Sequence, residues 1–224
     1  MNTLEFDRDG WEQRFATFLH ASDSYADIIH DLEHVRRVVR NAMRLWATDH
    51  GDERIVLAAA WLHDCVAVAK NSPLRSQASR MAADKAGAWL REQHYPADIA
   101  AIEHAIAAHS FTANILPTTI EAKIVQDADR LDSLGAIGTA RCLMLSVELQ
   151  RQLYDPAEPF PIEREPNDMT SAIDHFYTKL LKLADTMQTA AGRAEAHRRT
   201  AFMRQFLAQL ASEILETDME EHKT

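Results

Sequence analysis

No stretch of this chain alternates Val, Ile or Thr with polar residues over the length of a β-strand. Apolar residues recur instead at three- and four-residue spacing, segment after segment, and only six glycines interrupt them. A helix returns to one face every ~3.6 residues and a strand every second residue, so the pattern commits the chain to an all-α fold of about eight to nine helices.

The pattern predicts helices over about 10–21, 24–49 and 52–69, the last entered after Gly51. Ser72-Pro73 opens a fourth, with a capping side chain followed by a proline suited to the first turn, and it ends near His94. Pro96 opens a fifth to about 110. A sixth follows Pro117, capped by Thr118 or Thr119, to about 128, and a long seventh covers 130–152. The stretch YDPAEPFPIEREPND, 154–168, holds four of the seven prolines and reads as a loop. Helices at 169–187 and 190–217 follow, then a polar tail.

With 224 residues, 46% of them hydrophobic, the chain is long enough for one helical domain over 1–224. Its core would be 25–150, with helices 169–217 packing back on it. A formal charge of −10 repels phosphate backbones and argues against a nucleic-acid polymer as partner. Cys65 and Cys142 stand in apolar segments without a pairing pattern, as buried thiols in a reducing cytoplasm would. The acidic start, MNTLEFDRDGWEQRF, is no signal peptide, and no apolar run is long enough for a bilayer.

One apolar segment is broken in a telling way. Of residues 55–69, thirteen of fifteen are apolar, and the exceptions are the neighbours His63 and Asp64. A carboxylate buried without a partner costs several kcal/mol or gives up its charge. Neighbours on a helix point about 100° apart, so the two do not satisfy each other. A cation off the helix edge would be within reach of both. Other imidazoles and carboxylates interrupt apolar segments in turn: HDLEH at 30–34, EHAIAAH at 103–109 and QDADRLD at 126–132.

His34, then His63-Asp64, then Asp129 in DADRLD resemble the H…HD…D pattern of the HD-domain superfamily of metal-dependent phosphohydrolases. HDLEHVRRV (30–38) and DADRLDSLGAIGTAR (127–141) resemble its small stand-alone bacterial branch, which includes nucleotide pyrophosphatases. The resemblance implies that His34, His63, Asp64 and Asp129 bind one divalent ion, with Asp127 and Asp132 as alternative carboxylates. Such a nitrogen–oxygen set suits Mn²⁺ first, then Fe²⁺, Co²⁺, Ni²⁺, Zn²⁺ or Mg²⁺. It implies a small phosphorylated substrate, a nucleotide in the first instance, attacked by a metal-activated water, with no membrane partner. A monophosphatase, a cyclic-nucleotide phosphodiesterase or a non-catalytic ligand-binding module with a structural metal are the competing readings.

Lys70 and Arg75, just after the HD segment, and Arg37, Arg130 and Asp132, beside ligand segments, are candidates to bind substrate. Lys179 and Lys182 interrupt YTKLLKLA and read as surface lysines whose pocket role the resemblance leaves open. Several branches of the superfamily place a glutamate shortly after HD. Here those positions are Val66, Ala67, Val68 and Ala69, which carry no proton. The acid or base must then come from elsewhere, and His109, His104 and His30 are the candidates, with His109 preferred because it ends its helix.

Overall fold

The computed structural model describes residues 6–21, 32–68, 72, 74–110 and 112–215. Among them are nine α-helices and no β-strand: α1 Arg8–His20, α2 Leu32–Asp49, α3 Glu53–Leu62, α4 Ala78–Glu92, α5 Ile99–His109, α6 Ile120–Asp132, α7 Gly135–Glu148, α8 Ala172–Thr178 and α9 Ala190–Ile214. Short 3₁₀ turns run over Arg75–Gln77 and Leu180–Thr186. The chain forms two compact units, residues 1–129 and 130–224. The partition falls inside α6, not at the proline-rich loop, which lies wholly in the second unit.

In the first unit α3 is the central element. Every residue from Ile55 to Leu62 is buried, because α1, α2, α4 and α5 all pack on it. Asp52 starts α3 by accepting the Arg54 amide, and Asp98 starts α5 by accepting two amides, from Ala100 and Ala101. Phe15 of α1 is fully buried among Trp61, Trp89 and Tyr95, with ring centroids 5.8–6.3 Å away.

The helix expected over 52–69 stops at Leu62. His63 and Asp64 form a turn, closed by the Cys65 amide donating to the Leu62 carbonyl. His63 itself still has helical angles, with φ −55° and ψ −36°, so the two side chains leave the end of α3 at the turn that follows it.

In the second unit α7 packs on α8 and α9, and the 3₁₀ turn packs on both. The expected junction near residue 129 lies further on. α6 continues to Asp132, and α7 begins at Gly135, whose φ of +71° is available to glycine and foreign to a helix interior. A Cβ on Gly138 would collide with the Ser133 carbonyl, so the tight entry to α7 depends on that glycine too. The single helix expected over 169–187 divides at Lys179, where the backbone leaves helical angles.

The loop at 154–168 is held from within by one buried carboxylate. Asp174, fully buried, receives both terminal nitrogens of Arg164 at 2.5 and 2.8 Å, the Asn167 amide at 2.6 Å and the Ser171 hydroxyl at 3.1 Å. Both cysteines are buried thiols, and burial pushes the Cys65 thiol up to about 12.

Candidate metal centre

Four helices of the first unit end or turn at one place. α2 supplies His34, the end of α3 His63 and Asp64, the end of α5 His109, and α6 Asp129. The Nε2 atoms of His34 and His63 are 3.3 Å apart. Asp129 Oδ1 lies 3.5 Å from His34 Nε2 and 3.9 Å from His63 Nε2. His34, His63 and Asp129 thus offer three ligand atoms all within 4.8 Å of one another. Asp64 Oδ2 stands 3.8 and 3.6 Å from the same two nitrogens, while its Oδ1 faces His109 Nε2 at 3.5 Å.

Proton placement follows from the backbone. His63 Nδ1 lies 2.8 Å from the Ala60 carbonyl. A carbonyl only accepts, so Nδ1 carries the proton and Nε2 presents a lone pair to the cluster. Burial lowers the His63 pKa, against the raising effect of Asp64 and Asp129, and keeps the ring neutral. Burial pushes the Asp64 carboxyl up, but His63, His109 and His34 more than reverse this and hold it well below the ordinary carboxylate range. Neutral imidazole and ionised carboxylate are the forms that bind metal.

His109 is locked in the same way, its Nδ1 donating to the Ile106 carbonyl at 2.6 Å. Burial lowers its pKa, yet its contact with the Asp64 carboxylate outweighs burial, so the net shift is upward. A protonated His109 donates from Nε2 towards Asp64; a neutral one would set two lone pairs face to face.

Two buried amides escaped the sequence reading. Asn41 on α2 donates to the Ala128 carbonyl at 3.2 Å, next to Asp129. Gln126 on α6 donates to the Ala108 carbonyl at 2.6 Å, next to His109. They tie α2 and α5 to α6 where the polar side chains emerge. Their only sequence signal is an amide inside an apolar helical face.

The other candidates among the described residues stand outside the group of ligand atoms. His104 accepts the Thr118 amide at 3.1 Å and meets its hydroxyl at 2.9 Å, anchoring the connection after α5. Arg75 donates to the Val68 carbonyl at 3.0 Å, and Arg37 is half-buried on α2. Asp127 is fully buried and stands outside the three-atom group. In the second unit Arg130 donates to the Thr186 carbonyl, Asp132 pairs with Arg141, and Lys179 and Lys182 are exposed. His30 and Lys70 lie outside the described residues.

A helical unit that brings two imidazoles and two carboxylates from separate helices to one point, with His-Asp at a helix end, defines the class of HD-domain proteins. The HD-domain family model matches residues 31–134. The uncharacterized protein YpgQ of Bacillus subtilis is 34% identical over 195 residues, spanning 85% of this chain and 87% of that protein. This chain belongs to the HD-domain family.

Among solved structures, an HD-superfamily hydrolase from Bacillus thuringiensis is 34% identical, with a TM-score of 0.69 over 94% of this chain and all of that one. B. subtilis YpgQ in complex with ADP is 28% identical in the structural comparison, with a TM-score of 0.66 over 94% of this chain and 96% of that one. No helix among the described residues is long and apolar enough to cross a membrane.

Proposed function

We propose that this chain is a metal-dependent phosphohydrolase that cleaves a phosphoester or phosphoanhydride bond of a small molecule, most naturally a nucleotide. The observation that carries the reading is the meeting of the His34, His63 and Asp129 ligand atoms within 4.8 Å, with His63 Nδ1 donating to the Ala60 carbonyl. The ADP complex of YpgQ supports the nucleotide class.

In this reading His34, His63, Asp64 and Asp129 hold one divalent cation, Mn²⁺ by preference. The bound ion supplies Lewis acidity, lowering the pKa of a water and neutralising charge on a phosphoryl oxygen. His109 holds a proton at Nε2 and is placed to pass it to the leaving oxygen, a role that Val66, Ala67 and Val68 cannot fill. Asp64 orients that imidazole through Oδ1 while its Oδ2 faces the other two. Arg75, Arg37 and Lys70 are the cations for the substrate's phosphates.

The test is a panel of nucleotides and phosphoesters assayed with Mn²⁺, Co²⁺, Ni²⁺ and Mg²⁺, beside the Asp64→Ala protein. Turnover should appear with at least one metal and disappear in the variant. Turnover that survives the substitution refutes the mechanism. Release of pyrophosphate marks anhydride cleavage of a triphosphate; orthophosphate marks a monoesterase.

A further inference from the structure

The first unit has a groove of about 530 Å³ bounded by α1, α2 and α3. Arg36, Arg40 and Arg44 follow one another along it at one-turn spacing on α2, and Val39, Met43 and Trp61 give it an apolar floor. It is not the metal centre. At about 100° per residue, Arg36, Arg40 and Met43 sit roughly 180–240° around α2 from His34. Arg44, at about 280°, is nearer His34 in projection but roughly three turns further along the helix, so the groove lies apart from that ligand.

The charges there are unevenly matched. Arg36 pairs with Glu33 at 2.6 Å, and Glu12, the carboxylate of the groove, is taken by Arg8 at 2.9 Å. Arg40 and Arg44 have no ion-pair partner among the described residues, although the whole chain carries a charge of −10. Both are exposed, and together they make this edge of the groove positive. Beneath them Trp61, 4% exposed, has a buried indole N–H without a hydrogen-bond partner.

The volume is that of a small-molecule site. Unpaired guanidinium groups call for a polyanion, and the apolar floor calls for a flat ring. We propose that this groove binds a nucleoside polyphosphate at a site separate from the metal centre, with Arg40 and Arg44 on the phosphates and the base against Val39, Met43 and Trp61. The proposal does not depend on what the metal centre hydrolyses.

The test is equilibrium dialysis of the full chain with a methylene-bridged, non-hydrolysable ATP analogue. It compares the wild type, Asp129→Asn, and Asp129→Asn combined with Arg40→Glu and Arg44→Glu. Asp129→Asn impairs the metal cluster, and the part of its remaining binding that the Arg40→Glu and Arg44→Glu changes remove reports the groove. That binding should persist, weaken at least tenfold on charge reversal, and weaken with salt. Circular dichroism checks folding, and the milder Arg40→Gln/Arg44→Gln pair should give the same direction. Binding that vanishes in Asp129→Asn, or ignores the arginines, overturns the proposal. So does inorganic triphosphate binding as tightly as the nucleotide, which would mean a simple polyanion site. An oligoglutamate peptide that outcompetes the nucleotide would mean an acidic-peptide site and overturns it too. Absence of turnover in the wild type would refute the hydrolase reading alone.

Discussion

Removing and restoring the metal should move the melting temperature by an amount that can be worked out beforehand. The cluster atoms come from α2, the end of α3 and α6, so one ion would cross-link three elements of the first unit. An ion at a hundred times its dissociation constant stabilises the folded state by about 2.7 kcal/mol. In a chain of this size about 1 kcal/mol moves Tm by roughly 2–4 °C, so the increment should be about 5–10 °C. The assay is calorimetry of chelator-stripped protein titrated with Mn²⁺, repeated on His63→Ala and Asp129→Ala. Each variant also loses stability of its own, so the quantity compared is the metal-induced rise, which should collapse in both. The rise should hold at and above neutral pH. Unfolded imidazoles take up protons near about pH 6.5, whereas the buried His63 resists until lower pH, so acid favours the unfolded, metal-free chain and the rise shrinks below that point. A Tm indifferent to Mn²⁺, Co²⁺, Ni²⁺ and Zn²⁺, or an equal rise in His63→Ala, refutes the reasoning.

His109→Gln should lower turnover by about 10²–10⁴-fold if that ring passes the proton, while the metal-induced rise in Tm stays; steady-state kinetics with calorimetry separates the two. Asp174→Ala should cost about 3–5 kcal/mol in urea unfolding, since it strands the Arg164 guanidinium. Burial raises the Asp174 pKa, but Arg164, the Asn167 amide and Ser171 more than offset this and hold it low. Its contribution is therefore present above the ordinary aspartate range near about pH 4 and lost as pH falls towards the depressed folded value. Urea midpoints at pH 7 and pH 3 should differ less in Asp174→Asn than in the wild type. Phe15→Ala should cost about 3–5 kcal/mol by the same measurement, because the ring is fully buried among three aromatic side chains.

Helical periodicity, and the near absence of alternation, were enough to establish an all-α chain, because side-chain period is a local property of the backbone. The Thr119 cap of α6 works within three residues and was legible for the same reason, whereas the carboxylates that start α3 and α5, Asp52 and Asp98, were passed over for Gly51 and Pro96. The candidate ligands stood out because imidazoles and carboxylates are costly inside apolar segments. Local pattern misjudged where helices stop. The apolar run continues past His63, and only packing around α3 decides that the chain turns there; the α6–α7 break waits on the backbone angle of Gly135. Nor did the sequence disclose that Asn41 and Gln126 pin α2 and α5 to α6, or that Asp64 turns one oxygen to His34 and His63 and the other to His109. The amino-acid order determined which residue types the chain sets against its apolar background. The tertiary structure decided which of them meet, because atoms tens of residues apart converge only through the angles at which packed helices end.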